Sequence, residues 1–425
     1  MKKALVLAGG GTRGSYQNGA VHALRELRKD DWDLVCGTSI GALNAALIVQ
    51  RDYKAMDELW HHLSHDQIIN GTAVLDMNFN DMINERGEIR HMLQQFLKDK
   101  GVDISPLICK IKSLYRPQAF FDSPIDFGCV VAKNHTHEAV YVTKDMMKEH
   151  GTDWLIATAS AYPVFPVHMV AGEAYIDGGY ADNLPIHEAL SFGAQEIIAI
   201  DLRFPPQHAN YVDDPHITYI FPHIETGSFL QFNAEVIHRL ETVGYLDTMK
   251  AFGALDGVKY TFRKTPLPLW WPSFYRDFLL LEDRLGKAWN VRSLRPLTDR
   301  LFRQENRFMH TDAQYFFGIL DSLMDLINAD VEKIHTYQEV RNQILAVFAH
   351  CADANYNWKP SLQPSQLLEY TKNLDTKGVI EKMIHAQLYP EHDFLGSTIA
   401  LTVYPSAMVQ GMFVVAMMKE LGGED

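Results

Sequence analysis

Residues 33–49 read DLVCGTSIGALNAALIV and contain a strand pattern, a turn pattern and a helix pattern in succession. Residues 33–36 form a short apolar strand pattern, and residues 42–49 suit a buried helix. Between them lies Gly37-Thr38-Ser39-Ile40-Gly41, a G-x-S-x-G pattern typical of a nucleophile elbow, in which only glycine fits beside the serine. Such a turn exposes the Ser39 hydroxyl at a helix N-terminus, where the helix dipole favours negative charge. The alternative interpretation is a tight turn without chemistry.

A glycine-rich loop, Gly9-Gly10-Gly11-Thr12-Arg13-Gly14, precedes this stretch and separates a strand pattern from a helix pattern. It satisfies G-x-G-x-x-G, the pattern of a dinucleotide site. The candidates for the expected acidic residue are Asp31 and Asp33, but Asp33 begins the next strand instead of ending it. A loop of this kind binds anions in general through its backbone N–H groups. An oxyanion formed at Ser39 is such an anion, because adjacent parallel strands place their following loops at one sheet edge. A plain glycine-rich turn is the remaining alternative.

A third pattern, Asp177-Gly178-Gly179, follows the short strand pattern at residues 173–176. A carboxylate at a strand end, beside two flexible residues, can approach another loop closely. It could accept the proton of Ser39 directly or through water. Taken alone, D-G-G is more often a simple turn.

The remaining N-terminal patterns alternate between strand and helix. Helical spacing covers residues 14–28, and residues 52–116 look helical and amphipathic; further strands are expected at residues 3–8, 126–132, 138–142 and 196–200. Alternation of this kind predicts an α/β sandwich with a mostly parallel sheet. After Pro205-Pro206 the apolar spacing becomes helical. We therefore expect a catalytic domain over residues 1–205 and a mainly helical domain or extension over residues 206–425.

Composition restricts the classes of partner. The chain has 425 residues, a formal net charge of −14 and 22% charged residues, as in an ordinary globular protein. This charge argues against nucleic-acid binding and gives no general attraction to anionic membranes. The apolar run at the start ends at Gly9 and is too short for a secretory signal, so the expected location is cytoplasmic. The four cysteines form no C-x-x-C pair and indicate no metal or redox site.

Histidine was the other candidate for the base, since the chain has 19 histidines. In the α/β half, no histidine lies in a sequence context that indicates a catalytic base. A Ser–Asp dyad therefore explains the pattern more economically than a Ser-His-Asp triad. His61, His62 and His65 are clustered and could be metal ligands, but no carboxylate pattern completes such a site.

Four motifs in register resemble the patatin-like phospholipase family. They are the glycine loop at residues 9–14, the elbow at residues 37–41, the block Ala159-Ser160-Ala161-Tyr162-Pro163-Val164-Phe165-Pro166, and Asp177-Gly178-Gly179. The resemblance covers about residues 3–205. It implies a three-layer α/β/α sandwich with a mostly parallel central sheet, and a lipid acyl hydrolase that needs no metal and no cofactor.

The resemblance also implies the role of each site residue. Ser39 would be the nucleophile and Asp177 its proton acceptor, while Gly178 and Gly179 complete the D-G-G motif. Arg13 would shape the glycine loop or help steer a phosphate. The oxyanion hole would be formed by backbone N–H groups of the loop: Gly9, Gly10, Gly11, Thr12, Arg13 and Gly14.

The implied substrates are phospholipids, lysophospholipids and other acyl lipids, cleaved through an acyl-enzyme. A small-ester esterase or acyltransferase using the same site, and a non-catalytic lipid-binding protein, are the alternatives. Peripheral membrane contact and homo-oligomers are both compatible with this interpretation. Residues 267–275 crowd four aromatic side chains that could form an interfacial loop or pack in a core. Residues 395–418 carry no charge and suit either a buried helix pair broken at Pro405 or a membrane element.

Overall fold

The computed structural model describes residues 1–70, 102–288, 311–354, 376–389 and 404–421. The chain divides into two compact units, Met1–Gly253 and Ala254–Asp425. Part of the amphipathic stretch predicted at residues 52–116 lies outside the described residues.

The first unit is built on one sheet in which four consecutive pairings, extending to one edge, are parallel. The strand order is β5-β6-β3-β2-β1-β7-β8, and β4 pairs with β3. Strands β2, β1, β7 and β8 run parallel to their neighbours, whereas β4, β5 and β6 form the antiparallel end. This confirms the predicted α/β class. The strands are β1 Lys3–Leu7, β2 Leu34–Thr38, β3 Asp126–Lys133, β4 Ala139–Thr143, β5 His168–Val170, β6 Glu173–Asp177, β7 Glu196–Ile200 and β8 Ile217–Ile220.

Helices in the first unit follow the strands closely in sequence. Those predicted after β1 and β2 are present, each directly after its turn. The second of them is apolar except for the buried Asn44, as expected for a helix packed against the sheet. The helices are α1 Ser15–Glu26, α2 Ile40–Val49, α3 Tyr53–His61, α4 Ser105–Leu114, α5 Pro117–Asp122, α6 Met147–Thr158, α7 Ile186–Ser191 and α8 Ala234–Ala251.

Helices α1 and α8 pack with their backbones almost in contact. A Cβ atom built on Gly19 would lie 1.8 Å from the carbonyl oxygen of Glu241, and one on Gly244 would lie 2.0 Å from that of Tyr16. Only glycine allows this approach at the two positions. A buried hydrogen bond of 2.8 Å from the Tyr16 hydroxyl to the Asp247 carboxylate adds a polar contact between the helices.

The second unit is mainly helical, as predicted. Its core is rich in aromatic side chains, with ring centroids 5.2 Å apart for Trp271 and Phe316 and 5.3 Å apart for Phe316 and Phe413. A small three-stranded sheet accompanies the helices, with strands β9 Asp256–Gly257, β10 Thr261–Phe262 and β11 Ile334–His335. The helices are α9 Trp271–Ala288, α10 Asp312–Leu326, α11 Tyr337–Phe348, α12 Thr376–Leu388 and α13 Pro405–Leu421.

The boundary between the units lies at Gly253 and Ala254, not near residue 205 as predicted. Strand β8 pairs in parallel with β7 and therefore belongs to the main sheet. Helix α8 packs against α1 through the glycine contacts described above. The prolines at 205 and 206 thus belong to a loop within the first unit.

The structure describes residues 267–275 fully and residues 395–418 in part, the two segments considered for membrane contact. The aromatic side chains of residues 267–275 pack in the core of the second unit, where Trp271 is 1% exposed and Phe274 is 7% exposed. Leu269, in contrast, is fully exposed. In the uncharged segment, α13 begins at Pro405, and residues 395–403 lie outside the described residues. Among the helices of the described residues, none has the length and apolar character required to cross a membrane.

Candidate active site

Ser39 occupies the turn between β2 and α2 in a strained backbone conformation. Its φ and ψ angles are 55° and −126°, and it caps the N-terminus of α2. A Cβ atom on Gly37 would lie 2.4 Å from the carbonyl carbon and oxygen of Gly41, so the turn is as tight as the motif predicts. A non-glycine residue at positive φ is uncommon, and such strain often accompanies a functional site.

The backbone of Ser39 is held by a residue that the sequence analysis did not identify. The N–H group of Ser39 donates to the hydroxyl of Thr158 at 2.9 Å, and that hydroxyl donates to the carbonyl of Val130 on β3. Thr158 ends α6 and is fully buried. The turn is therefore tied to the sheet through a helix that lies far away in the chain.

Asp177 is the last residue of β6 and pairs with Val131 of β3. Its side chain is 3% exposed, and its carboxylate accepts a hydrogen bond of 2.7 Å from the Gly179 N–H. Burial raises the pKa of Asp177 to about 7, although hydrogen bonds from the Ser39 side chain and from Gly179 act in the opposite direction. The structure thus brings the side chains of the predicted serine and aspartate close together.

The glycine loop has fewer free N–H groups than the sequence motif suggests. The N–H of Gly9 donates to the carbonyl of Asn183 at 3.0 Å, and the N–H of Thr12 donates to that of Phe229 at 2.8 Å. Within the described residues, no acceptor is found for the N–H groups of Gly10 and Gly11. The N–H of Arg13 donates to the carbonyl of Gly10 at 3.3 Å. The N–H groups of Gly9, Thr12 and Arg13, which are among the predicted oxyanion donors, therefore already have acceptors.

Arg13 braces this loop from inside the protein. Its side chain is 4% exposed, and its Nε donates to the carbonyl of Gly10 at 3.2 Å. Burial and the neighbouring Arg203 lower the pKa of Arg13 to about 10, while Asp201 raises it. The loop-shaping role expected for Arg13 agrees with these contacts. A role in steering a phosphate does not, because the guanidinium is shielded from solvent.

A network of polar side chains joins the glycine loop to the C-terminal end of β7. Asn183 donates through Nδ2 to the carbonyl of Gly9 at 3.1 Å and to Gln207 at 3.2 Å. Gln207 in turn donates to the buried carboxylate of Asp201 at 2.7 Å. These residues carry no motif, but together they set the position of the glycine loop beside Ser39.

An apolar cavity opens beside Ser39. Its lining comes from α2, α3, α4 and the segments around Phe165 and Leu230. Among the described residues of the lining, Lys110 is the single charged one and no histidine is present. Besides Ser39 and Lys110, the lining consists of Gly11, Thr12, Ile40, Leu43, Leu59, Trp60, Leu63, Ile68, Leu107, Ile111, Leu114, Ala159, Phe165, Leu230 and Phe232.

The three histidines singled out in the sequence do not meet at one point. His61 lies 3.4 Å from a carboxylate oxygen of Glu241, and the ring of His65 packs edge-on against Phe232. Among the described residues, the group that could hold a metal ion contains none of the three and consists of His22, Asp57 and Glu241.

Residues 5–190 match the family described as patatin-like phospholipase, so the resemblance seen in the four motifs is confirmed for this part of the chain. The chain is 30% identical over 204 residues to patatin-like phospholipase domain-containing protein 7 of Rattus norvegicus. It is 24% identical over 214 residues to lysophospholipase NTE1 of Mycosarcoma maydis. These alignments cover 47% and 48% of this chain, but only 13% and 10% of the two relatives.

Among solved structures, the chain aligns with the crystal structure of VipD from Legionella pneumophila. The alignment covers 98% of this chain and 91% of that chain, with 13% sequence identity and a TM-score of 0.39.

Proposed function

We propose that this patatin-like phospholipase domain is a serine acyl hydrolase that cleaves fatty-acyl esters of lipids with Ser39 as nucleophile and Asp177 as base. One observation carries the proposal: the side chain of Ser39 lies close enough to the buried carboxyl of Asp177 to lower its pKa, and the same serine borders an apolar cavity. A nucleophile in contact with a base, beside space for a hydrocarbon chain, is the arrangement that lipid ester cleavage requires.

In the first step, Asp177 takes the proton of Ser39 while the serine oxygen attacks the ester carbonyl carbon. A base with a pKa of about 7 suits this transfer at neutral pH, because a large fraction is ionised and still binds a proton effectively. The carbonyl oxygen becomes an oxyanion. The N–H groups of Gly10, Gly11 and Ile40 would stabilise it, since Ile40 begins α2 and its N–H has no partner within the helix.

In the second step, the carbon–oxygen bond to the alcohol breaks, and the departing alkoxide takes the proton from Asp177. Water then attacks the acyl-enzyme in the same way: Asp177 accepts a proton from water, the hydroxide adds to the carbonyl, and Ser39 leaves with the proton returned. The products are a free fatty acid and an alcohol, and the enzyme is restored.

The cavity supports a lipid as substrate in preference to a short ester. Apart from Thr12, Ser39 and Lys110, its described lining is apolar side chains and one glycine, so a buried acyl chain would contact hydrocarbon on all described sides. Lys110 is half-buried and adds one positive charge to this lining. A phosphate head group on the substrate would be attracted to it, and we therefore favour phospholipids and lysophospholipids over neutral lipids.

Product analysis with the whole chain and its Ser39→Ala variant tests the proposal. Vesicles of phosphatidylcholine or phosphatidylglycerol, and lysophospholipid micelles, are incubated with each protein, and fatty acids are measured by mass spectrometry. We expect fatty-acid release with the wild type and none with Ser39→Ala, with both proteins giving the same circular dichroism spectrum. Equal release by the two proteins would refute the assignment of Ser39.

The alternatives give different products in the same assay. Transfer of the acyl chain to an added lysophospholipid, without free fatty acid, would identify an acyltransferase. Turnover of p-nitrophenyl acetate, without turnover of long-chain lipids, would identify a small-ester esterase. Vesicle binding without any ester cleavage would leave a lipid-binding protein.

A further inference from the structure

A second cluster of reactive side chains lies on the surface of the first unit, formed by α1, α3 and α8. The Nε2 atom of His22 lies 2.6 Å from a carboxylate oxygen of Asp57. Three residues, His22, Asp57 and Glu241, each offer one potential ligand atom, and these three atoms lie within 4.8 Å of one another. The proposed chemistry at Ser39 uses none of these residues.

The close packing of α1 and α8 explains why the three side chains converge. Gly19 lies about one turn before His22, and its Cβ position is 1.8 Å from the carbonyl oxygen of Glu241. The backbones of the two helices therefore touch at the level of the cluster. Helix α3 supplies Asp57 from the third side.

Two more imidazoles border the same site. The Nε2 atom of His61 lies 3.4 Å from the second carboxylate oxygen of Glu241, and 54% of its side chain is exposed. His61 follows Asp57 by four residues and so lies on the same face of α3. His238 lies three residues before Glu241 on α8 and lines the same cleft.

Asn18 orients both carboxylates. Its Nδ2 atom donates to Asp57 at 3.2 Å and to Glu241 at 2.7 Å. Hydrogen bonds of this kind, which fix the direction of a carboxylate, are a regular part of protein metal sites. Each carboxylate has a second oxygen in addition to the one that Asn18 contacts.

We propose that His22, Asp57 and Glu241 bind a Zn²⁺ ion, with a water molecule as the fourth ligand. Imidazole nitrogen and carboxylate oxygen are the donor types that Zn²⁺ accepts, and four ligands satisfy its tetrahedral preference. On binding, the ion replaces the hydrogen bond between His22 and Asp57, and the imidazole coordinates in its neutral form.

The ion would act on structure and not on ester chemistry. It would join α1, which begins directly after the glycine loop, to α3, which carries Leu59 and Trp60 of the cavity lining. The consequence is a Zn²⁺-dependent increase in the melting temperature of the chain. This inference holds whether or not Ser39 is the nucleophile.

Direct binding measurements test the site. The full chain is treated with a chelator, dialysed and titrated with ZnCl₂ by calorimetry; Co²⁺ is used as a spectroscopic substitute that reports nitrogen and oxygen ligands. We expect one Zn²⁺ per chain and a rise in melting temperature. Even residues that only orient a metal ligand contribute about 10–100-fold to affinity, so His22→Ala and Glu241→Gln should each weaken binding by at least about tenfold.

His62→Ala is the matched control, because His62 is an exposed neighbour of His61 outside the cluster. It should bind Zn²⁺ like the wild type. Absence of saturable binding to the wild type would overturn the proposal, as would unchanged binding in Glu241→Gln, the variant that alters shape least. Equal losses in His62→Ala and His22→Ala would also overturn it, since they would indicate general adsorption to surface histidines.

Discussion

The hydroxyl of Thr158 accepts a 2.9 Å hydrogen bond from the backbone N–H of Ser39, 119 positions away in the chain. This contact uses the N–H group of the nucleophile residue itself, so under the proposed mechanism the oxyanion donors would come from other residues. It also holds the strained turn in place, because the same hydroxyl is bonded to the carbonyl of Val130 in the sheet.

Replacing Thr158 by Val should lower turnover without abolishing folding. Valine has nearly the same shape but leaves the N–H of Ser39 without an acceptor, which costs about 1–3 kcal/mol for a buried group. A small displacement of a reacting group can reduce the rate by about 10²-fold, so we expect a loss of about 10-fold to 100-fold in kcat. The measurement is kcat with a p-nitrophenyl ester. Thr158→Ser, which keeps the hydroxyl, should retain most of the activity, and equal kcat values in Thr158→Val and wild type would contradict this role.

The rate should rise with pH through a value near 7. Asp177 acts as a base and must be ionised, and burial raises its pKa to about 7, so the active fraction increases as the pH passes that value. The measurement is kcat/KM between about pH 5 and pH 9, with Ser39→Ala giving the background rate. A profile that is flat over this range would contradict Asp177 as the base.

Removing the charge of Asp177 should stabilise the protein at alkaline pH. The pKa of Asp177 is raised from 3.8 to about 7 on folding, so its ionisation favours the unfolded chain increasingly between these values. This loss of folding stability is fully present above about pH 7 and absent below about pH 4. We therefore expect Asp177→Asn to melt at a higher temperature than the wild type at pH 8, with the difference shrinking towards pH 4, as measured by calorimetry.

The control for this comparison is Asp30→Asn, a substitution at an exposed aspartate of the same unit. Its melting temperature should follow that of the wild type at every pH. If Asp177→Asn gained the same stability at pH 4 and at pH 8, burial of the charged carboxylate could not be the cause.

A larger residue at position 43 should shift the preferred acyl length. Leu43 lies one helical turn after Ser39 and lines the cavity, so extra volume there would fill the space that a long chain needs. We expect Leu43→Phe to reduce kcat/KM for a p-nitrophenyl palmitate much more than for the acetate. Leu43→Met, which conserves volume, should leave the ratio of the two values nearly unchanged. A uniform loss on both esters would indicate damage to the turn itself.

Lys110 should matter for anionic head groups and not for the ester bond. In Lys110→Gln we expect kcat/KM for phosphatidylglycerol to fall about 3-fold to 10-fold, since the attraction between charges near a surface is modest. Activity on a p-nitrophenyl ester should stay the same. Lys112→Gln, an exposed position on the same helix, is the matched control. Equal effects of the two substitutions would assign the change to general surface charge.

The parts of the site that the sequence predicts are those encoded by local geometry. The turn at Ser39 and the strand end at Asp177 each require specific residues within a few positions, and the structure brings the two side chains together. Thr158 and Asn183 were not predicted, because a single threonine at a helix end or a single asparagine in a loop has no pattern of its own. Their roles arise only from contacts made across the fold.

The unit boundary differs from its prediction because a break in the sequence pattern was taken as a break in the fold. The prolines at 205 and 206 suggested a domain boundary, but the chain returns from that loop to add β8 to the sheet. His61, His62 and His65 are close in the chain, but the sequence offers no carboxylate pattern that would complete a metal site with them. The described carboxylate and imidazole cluster is instead assembled from three helices, which periodicity in one segment cannot reveal.

The carboxyl of Asp177 lies near Ser39 because the register of β6 places Asp177 opposite Val131 of β3, one residue beyond the point where Val130 pairs with Thr38 of β2. Under the proposed mechanism, a chain still emerging from the ribosome would contain the residues of its nucleophile turn long before the residue that activates it. Ester cleavage could begin only after the hairpin of β5 and β6 has joined the sheet. The order of synthesis would then keep a half-made hydrolase from attacking lipids.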